Sequence, residues 1–410
     1  MQQGQIMTIG VGGSSEQQAL AKLTNMTLDI QPIDLAQYQQ RLSKAQELMK
    51  QAGLDAVYLN AGTNLYYFTG TRWYASERLV GAILPAEGDL LYIAPHFEID
   101  SLAGFMLIKG EVKGWHEDES PYDLVVNTLK NMGLPAGQVG IDESASFFLA
   151  DGLRLAGPDF DFVSAKAVTA GCRAQKSPAE LALLQRAKDM TMAVHKAVAS
   201  ILRPGITTEE ATAFINLAHQ KVGAARSSFC IVLFGVDSSF PHGVKTPNPL
   251  KENDIVLIDT GCLLEGYNSD ITRTYVYGQP NDRQRAMWAI EKEAQARAFA
   301  AAQIGVPCGD VDTAAREYST SQGLGPGYQV PGLPHRTGHG VGLDIHEWPY
   351  LVKNDRTLLA AGMCLSNEPM LVIPGEFGVR LEDHFYMTDG GPKWFTQPSH
   401  SIDDPFGYQA

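Results

Sequence analysis

The segment 255–277, IVLIDTGCLLEGYNSDITRTYVY, constrains the fold more than any other stretch of the chain. Its β-branched and aromatic runs flank a Gly-Tyr-Asn turn, the pattern of an antiparallel hairpin. Asp259 and Asp270 stand on opposite arms, and a hairpin can bring two such positions side by side on one face. Facing carboxylates in a strand interior repel unless a cation or a proton lies between them. Taken alone, the pair also fits a plainer account, with one aspartate capping a turn and the other pairing with Arg273.

Further acids weigh against that account. SNEPMLVIPGEFGVRLEDHFY sets Glu368 and Glu382 on two more apolar, strand-like segments, where an uncompensated glutamate is costly to bury. Between the two pairs of acids, HRTGHGVGLDIHEWP (335–349) crowds His335, His339 and His346 into a glycine-rich stretch. An oxygen-rich set with imidazole suits a pair of cations such as Mn²⁺, Co²⁺, Fe²⁺ or Zn²⁺. Two cations about 3.5–4 Å apart ionise water and polarise a carbonyl, so these residue types predict metal-assisted hydrolysis.

At 410 residues, the chain exceeds one ordinary core, and two domains are expected. Residues 1–27 contain GVGGSS, which follows no strand and precedes no GK[ST], and read as an arm that is mobile or packs on a partner. LAQYQQRLSKAQELMKQAG then reads as a helix stopped at Gly53, LDAVYLN as a strand and VGAILPAEGDLLYIA as a hairpin, opening an α/β unit. The boundary falls between about 165 and 176. Beyond it, Ser177 with Glu180 and Thr207 with Glu210 form capping boxes that open two helices. The order helix, helix, strands, helix, helix, strands predicts an α+β domain of two similar halves.

Composition excludes several classes. With 44% hydrophobic and 19% charged residues the chain reads as soluble and globular, without a membrane partner, since no run reaches the ~18 apolar residues of a span. The first residues lack the features of a signal peptide, so a cytoplasmic location is expected. A net charge of −14, spread along the chain, argues against a nucleic-acid partner. The five cysteines include no C-x-x-C pair and are expected to be reduced, buried thiols; Cys262 and Cys364 read as packing.

The motifs D-T-G, G-Y-N-S-D-I-T-R-T, H-R-T-G-H-G-V-G-L-D-I-H-E, S-N-E-P and V-R-L-E-D, in that order, closely resemble those of the M24 metallopeptidases. That family includes Xaa-Pro dipeptidase (prolidase), aminopeptidase P and methionine aminopeptidase. The resemblance implies an α/β creatinase/prolidase-like N-terminal domain at 28–168 and an α+β pita-bread catalytic domain at 169–410. It implies Asp259 as a ligand of one metal, Asp270 and Glu382 as bridges, and His339 and Glu368 completing the second, with Glu368 also moving the proton of the reacting water. By the same resemblance His346 contacts substrate beside the scissile bond, His242 is a further substrate-contacting histidine counted with Glu368 and His346 as catalytic, and His335 reaches the carboxyl-side residue. The glycines are expected to let the backbone approach the ions. Arg380 shares a strand face with Glu382, and either orients a ligand or catches a substrate carboxylate. Trp73, Tyr74 and Arg78, in TNLYYFTGTRWYASERL, are expected either to pack locally or to close the pocket across a homodimer. His384 has no role that the sequence reveals.

The reaction implied is hydrolysis of Xaa-Pro dipeptides by a metal-activated water, with two divalent ions per subunit, manganese foremost. The short interval between Glu368 and Glu382 disfavours aminopeptidase P-type removal of an N-terminal residue before proline. Hydrolysis of a small non-peptide amide is a further alternative. A non-enzymatic pita-bread binder is disfavoured by the full ligand set.

Overall fold

The computed structural model describes residues 8–409. The chain divides into two compact units, Ile33–Arg173 and a second that joins the segment ending at Pro32 to everything from Ala174 onward. Of the expected N-terminal arm, residues 1–7 lie outside the described residues. From Thr8 it is seated on its own chain: Thr8 N donates to Gly278 O at 3.1 Å, Ile9 N to Asp403 O at 2.8 Å and Gly12 N to Ala199 O at 2.8 Å. Ser15 then opens the short helix α1 (Glu16–Ala21) with a capping box.

The Ile33–Arg173 unit begins with α2 (Leu35–Ala52), capped by the Asp34 side chain and stopped at Gly53, whose φ of 70° is the left-handed conformation glycine adopts freely. Next in chain order come β1 (Ala56–Asn60), α3 (Thr63–Thr69), β2 (Gly81–Pro85), β3 (Leu91–Pro95), α4 (Ile99–Phe105), β4 (Val112–Trp115), α5 (Pro121–Asn131), β5 (Gly137–Ile141), α6 (Phe147–Ala156), β6 (Phe160–Ser164) and α7 (Lys166–Arg173). The strands form one mixed sheet in the order β4-β3-β2-β1-β5-β6, with β2 and β3 as the antiparallel hairpin that the PAEG turn predicts. Tyr58, Ile83 and Ile93 pack with Val125, Leu129 and Leu153 in its core. β1 and β2 are buried along their whole length, which is why both are uninterrupted apolar runs rather than alternating ones.

In the second unit α8 (Pro178–Ile201) and α9 (Thr208–Lys221) open on the two capping boxes. They are followed by β7 (Ser227–Phe234), β8 (Ile255–Leu264), β9 (Tyr267–Asn268) and β10 (Ile271–Val276), an antiparallel sheet in the order β10-β8-β7 with β9 on the end of β8. The helix pair then recurs as α10 (Asp282–Ala301) and α11 (Cys308–Ser321). After it come β11 (Gly338–Gly340), β12 (Glu347–Leu351), β13 (Cys364–Asn367), the hairpin β14 (Met370–Ile373) and β15 (Phe377–Arg380), and then β16 (Asp383–Thr388) and β17 (Gly391–Trp394). The five-stranded sheet runs β12-β11-β13-β16-β17. The two sheets meet where Glu382 N donates to Thr272 O at 3.1 Å and Thr274 Oγ1 to Arg380 O at 2.7 Å.

Two glycines explain how tightly the site's strands fold. A Cβ on Gly261 would lie 1.8 Å from Ser269 O, so the β8–β10 connection closes only around a bare Cα. A Cβ on Gly338 would lie 2.1 Å from Ser366 O, across the strands that carry His339 and lead to Glu368. In the histidine-rich stretch, glycine therefore admits neighbouring protein atoms. The close approach seen at Gly338 is strand to strand.

Candidate metal centre

The acids are delivered by strands and by the breaks between them. Asp259 lies on β8 directly opposite Thr272 of β10, and Asp270 immediately precedes β10. Glu368 occupies the gap between β13 and β14, and Glu382 the gap between β15 and β16. His339 is the middle residue of β11. All are buried except Glu368, whose side chain keeps 13% exposure. The plainer account of the hairpin fails: Arg273 pairs with Asp383 at 2.7 Å, and with neither Asp259 nor Asp270.

His339 Nδ1 lies 2.9 Å from Gly340 O, a contact in which the ring donates, so that Nε2 is the atom facing the carboxylates. Nε2 stands 3.0 Å from Glu368 Oε1 and 3.8 Å from Asp270 Oδ2. Ser366 ties the two sides together, its Oγ accepting from His339 N at 2.9 Å and donating to Glu368 Oε1 at 3.1 Å. Thr272 Oγ1 donates to Glu382 Oε2 at 2.8 Å. Three ligand sets lie within 4.8 Å internally: Asp270, His339 and His346; Asp270, Glu382 and His384; His339, Glu368 and Glu382.

Four carboxylates face one guanidinium, that of Arg380. Burial, then the Glu382, Asp259 and Glu368 charges, push Asp270 well above the usual carboxylate range. Burial and the charges of Glu368 and Asp259 do the same to Glu382. Burial alone would also raise Glu368, but His339, His335 and Arg380 outweigh it and hold that carboxyl low. Asp259 Oδ1, Asp270 Oδ1 and His339 Nε2 are buried without a hydrogen-bond partner. Buried polar atoms are ordinarily satisfied, and divalent cations among these donors would give each what it lacks. Asp270, His339, Glu368 and Glu382 fit such ions in charge, donor chemistry and spacing, whereas Asp259 joins none of the three sets and has one oxygen paired to Arg380.

The remaining expected site residues are placed as follows. Arg380 is buried, with Nη2 2.5 Å from Asp259 Oδ2 and Nε donating to Thr272 Oγ1 at 3.0 Å, so it orients a carboxylate of the cluster. His346 packs edge-on against the His339 ring at 4.2 Å; burial, then His339 and Arg336, bring its pKa down to about 4. His335 places Nδ1 2.6 Å from Arg336 O and leaves a buried Nε2 unpartnered. His242 is exposed, and its charge bears on both His335 and His346. Trp73, Tyr74 and Arg78 belong to the Ile33–Arg173 unit. There Trp73 meets Phe105 edge-on at 6.0 Å, Tyr74 is 93% exposed, and Arg78 pairs with Glu77 and Glu117.

Several residues that hold the site were not identified from sequence. His384 is fully buried with Nε2 3.4 Å from Glu382 Oε1; its position two residues beyond Glu382 is the signal that was available. Arg273, also fully buried, donates to Glu382 O at 2.8 Å and so pins that residue's backbone. On α11, Asp312 accepts from Thr337 N and Oγ1 while Arg316 donates to His335 O at 2.7 Å, clamping the segment that carries His335. Lys176 and Glu347 form a buried ion pair at 2.5 Å beside His346 in sequence.

Residues 182–389 match Metallopeptidase family M24, and residues 41–175 match the Creatinase/Prolidase N-terminal domain. The chain is 32% identical over 366 residues to the Xaa-Pro dipeptidase of Pyrococcus furiosus, an alignment covering 88% of this chain and 99% of that one. The solved dipeptidase PepE of Mycobacterium ulcerans is similar at 33% identity and a TM-score of 0.84, over 90% of this chain and 98% of that one. A prolidase from Thermococcus sibiricus superposes with a TM-score of 0.80 at 29% identity, over 90% and 98% of the two chains. With both domains matched and its acids and histidines gathered at one buried centre, the chain belongs to metallopeptidase family M24 and is a peptidase.

Proposed function

We propose that this centre hydrolyses Xaa-Pro dipeptides, using two divalent ions, manganese foremost, held by Asp259, Asp270, His339, Glu368 and Glu382. The observation that carries the reading is the buried cluster in which Asp259 Oδ1, Asp270 Oδ1 and His339 Nε2 have no hydrogen-bond partner. The similarity to proteins named Xaa-Pro dipeptidase and prolidase supports the choice of substrate. Divalent ions bound there supply Lewis acidity at a carbonyl and lower the pKa of a coordinated water.

The chain's own groups do the rest. Glu368 is the most accessible of the site's carboxylates, and it takes a proton and returns it to the departing proline nitrogen. His346 offers an imidazole N–H to the oxygen on which charge develops. A bond to proline has no amide N–H for a pocket to grip, so recognition falls to side chains, with His335 on the carboxyl side and His242 as a further substrate contact. The exposed Tyr74, with Trp73 and Arg78, supports a homodimer in which this surface closes a neighbouring pocket. Five cysteines without a disulfide support a reducing, cytoplasmic setting.

The test is product release from Ala-Pro, Gly-Pro and Ala-Pro-Ala with Mn²⁺, each repeated with chelator. Chelator-sensitive cleavage of the dipeptides alone is expected. Cleavage of the tripeptide would move the protein to aminopeptidase P chemistry, and silence on all three would redirect it to non-peptide amides.

A further inference from the structure

A free dipeptide ends in a carboxylate one residue beyond the scissile bond, and burying that charge without a partner is costly. Sequence left Arg380 as one possible receptor. In the structure that guanidinium is buried, ion-paired to Asp259 and hydrogen-bonded to Thr272, so it already serves the metal cluster. The receptor is to be sought elsewhere.

Arg336 lies between His335 and His339 and is half-buried. Its Cζ sits 4.6 Å from the centre of the Tyr350 ring. Among the described residues, no carboxylate or other acceptor engages its guanidinium. Tyr350 is the cross-strand partner of His339 in the β11–β12 pair. Directly paired residues put their side chains on the same face of a sheet, so Tyr350 and the arginine stacked on it share a face with His339. The next pair on these strands, Gly338 with Leu351, presents the other face, where Leu351 is fully buried in the core. His346 packs edge-on against His339. Arg336 therefore stands beside the histidines of the centre. A guanidinium lying against an aromatic ring keeps its N–H edge available for the two oxygens of a carboxylate.

Building on the Xaa-Pro dipeptide reading above, we propose that Arg336, braced on Tyr350, is the specificity-determining residue that pairs with the substrate's C-terminal carboxylate. It would thereby select free dipeptides over longer peptides and over C-terminal amides.

The experiment compares kcat/KM for Ala-Pro and Ala-Pro amide, which share a scissile bond and differ in the terminal charge. The wild-type enzyme should prefer the free acid. Arg336→Gln should lower kcat/KM for the acid about 30-fold, the size of a charge-assisted hydrogen-bonding pair, chiefly through KM, with a much smaller loss on the amide. Arg336→Lys, which keeps the charge and loses the planar fork, should retain part of the preference, and it stands in if the glutamine variant does not fold. Equal losses on both substrates, or an undiminished preference for the acid in Arg336→Gln, would overturn the assignment. Wild-type enzyme cleaving acid and amide equally well would also overturn it while leaving the Xaa-Pro reading intact. Wild-type enzyme cleaving neither would remove the Xaa-Pro reading and this assignment with it.

Discussion

Arg380 Nη2 lies 2.5 Å from Asp259 Oδ2, so a cation at the end of β15 holds the carboxylate that β8 contributes to the cluster. The same guanidinium donates through Nε to Thr272, whose own hydroxyl donates to Glu382. One arginine thus fixes one acid directly and a second through a threonine. A lysine ammonium is a point charge and cannot reproduce that planar arrangement. Arg380→Lys is expected to weaken metal binding about 10–100-fold, the range for removing a partner of a ligand, as read by calorimetric titration of metal-free protein. Wild-type affinity would mean that the strands alone place Asp259.

Glu368 is the carboxylate with one edge toward solvent, and Ser366 engages one of its oxygens. Glu368→Gln keeps the size of the side chain and removes its ability to carry a proton at neutral pH. Turnover of Ala-Pro should fall about 10²–10⁴-fold, the usual worth of a positioned acid or base, with the circular dichroism spectrum unchanged. A variant that retained metal and turned over near the wild-type rate would exclude the proton-carrying role.

His384 and Glu382 form the contact that the sequence left without meaning. With Thr272 Oγ1 on Glu382 Oε2 and His384 Nε2 beside Oε1, both oxygens of that carboxylate are engaged. His384→Ala leaves a space and frees the carboxylate to turn. Metal retained after dialysis, measured by elemental analysis, should fall, and the affinity should drop about 10–100-fold. Asp270→Asn, which removes a charged donor from the cluster, should lose at least as much. Full metal content in the histidine variant would mean that Glu382 is held without it.

What was legible in the sequence follows from the range over which each interaction acts. The capping boxes at Ser177 and Thr207 span three residues, so spacing alone announced where α8 and α9 begin. The acids announced themselves because a carboxylate inside an apolar strand run needs compensation wherever the strand goes. The partners that compensate them were not visible. Arg380 reaches Asp259, and Arg273 reaches Asp383, across more than a hundred residues, and strand register alone decides such meetings. Asp312 and Arg316, one helical turn apart on α11, pair with each other at 2.9 Å, and their spacing carries no sign of a wider role. Their work on Thr337 and His335 appears only once α11 is packed beside β12. Glycine in the histidine stretch was legible as close approach, but what approaches, the β13 backbone at Ser366, was not.

His219 gives the protein a pH dependence separate from the metal cluster. It lies fully buried on α9, with Nδ1 2.9 Å from Ser227 Oγ and Nε2 3.3 Å from Thr191 Oγ1, and burial brings its pKa from 6.5 down to about 4. Between those two values the unfolded chain binds a proton that the folded chain does not. Stability therefore rises with pH through that window, and above it the group contributes no slope. The slope approaches about 1.4 kcal/mol per pH unit, so acidifying from about pH 7 to about pH 5 should remove roughly 2 kcal/mol through this residue. Urea unfolding of chelated protein at the two pH values, wild type against His219→Gln, isolates the effect, since glutamine does not titrate. The variant should lose less stability on acidification than the wild type, even if it begins lower. Equal losses would mean that His219 takes up its proton in the folded state as readily as in the unfolded chain.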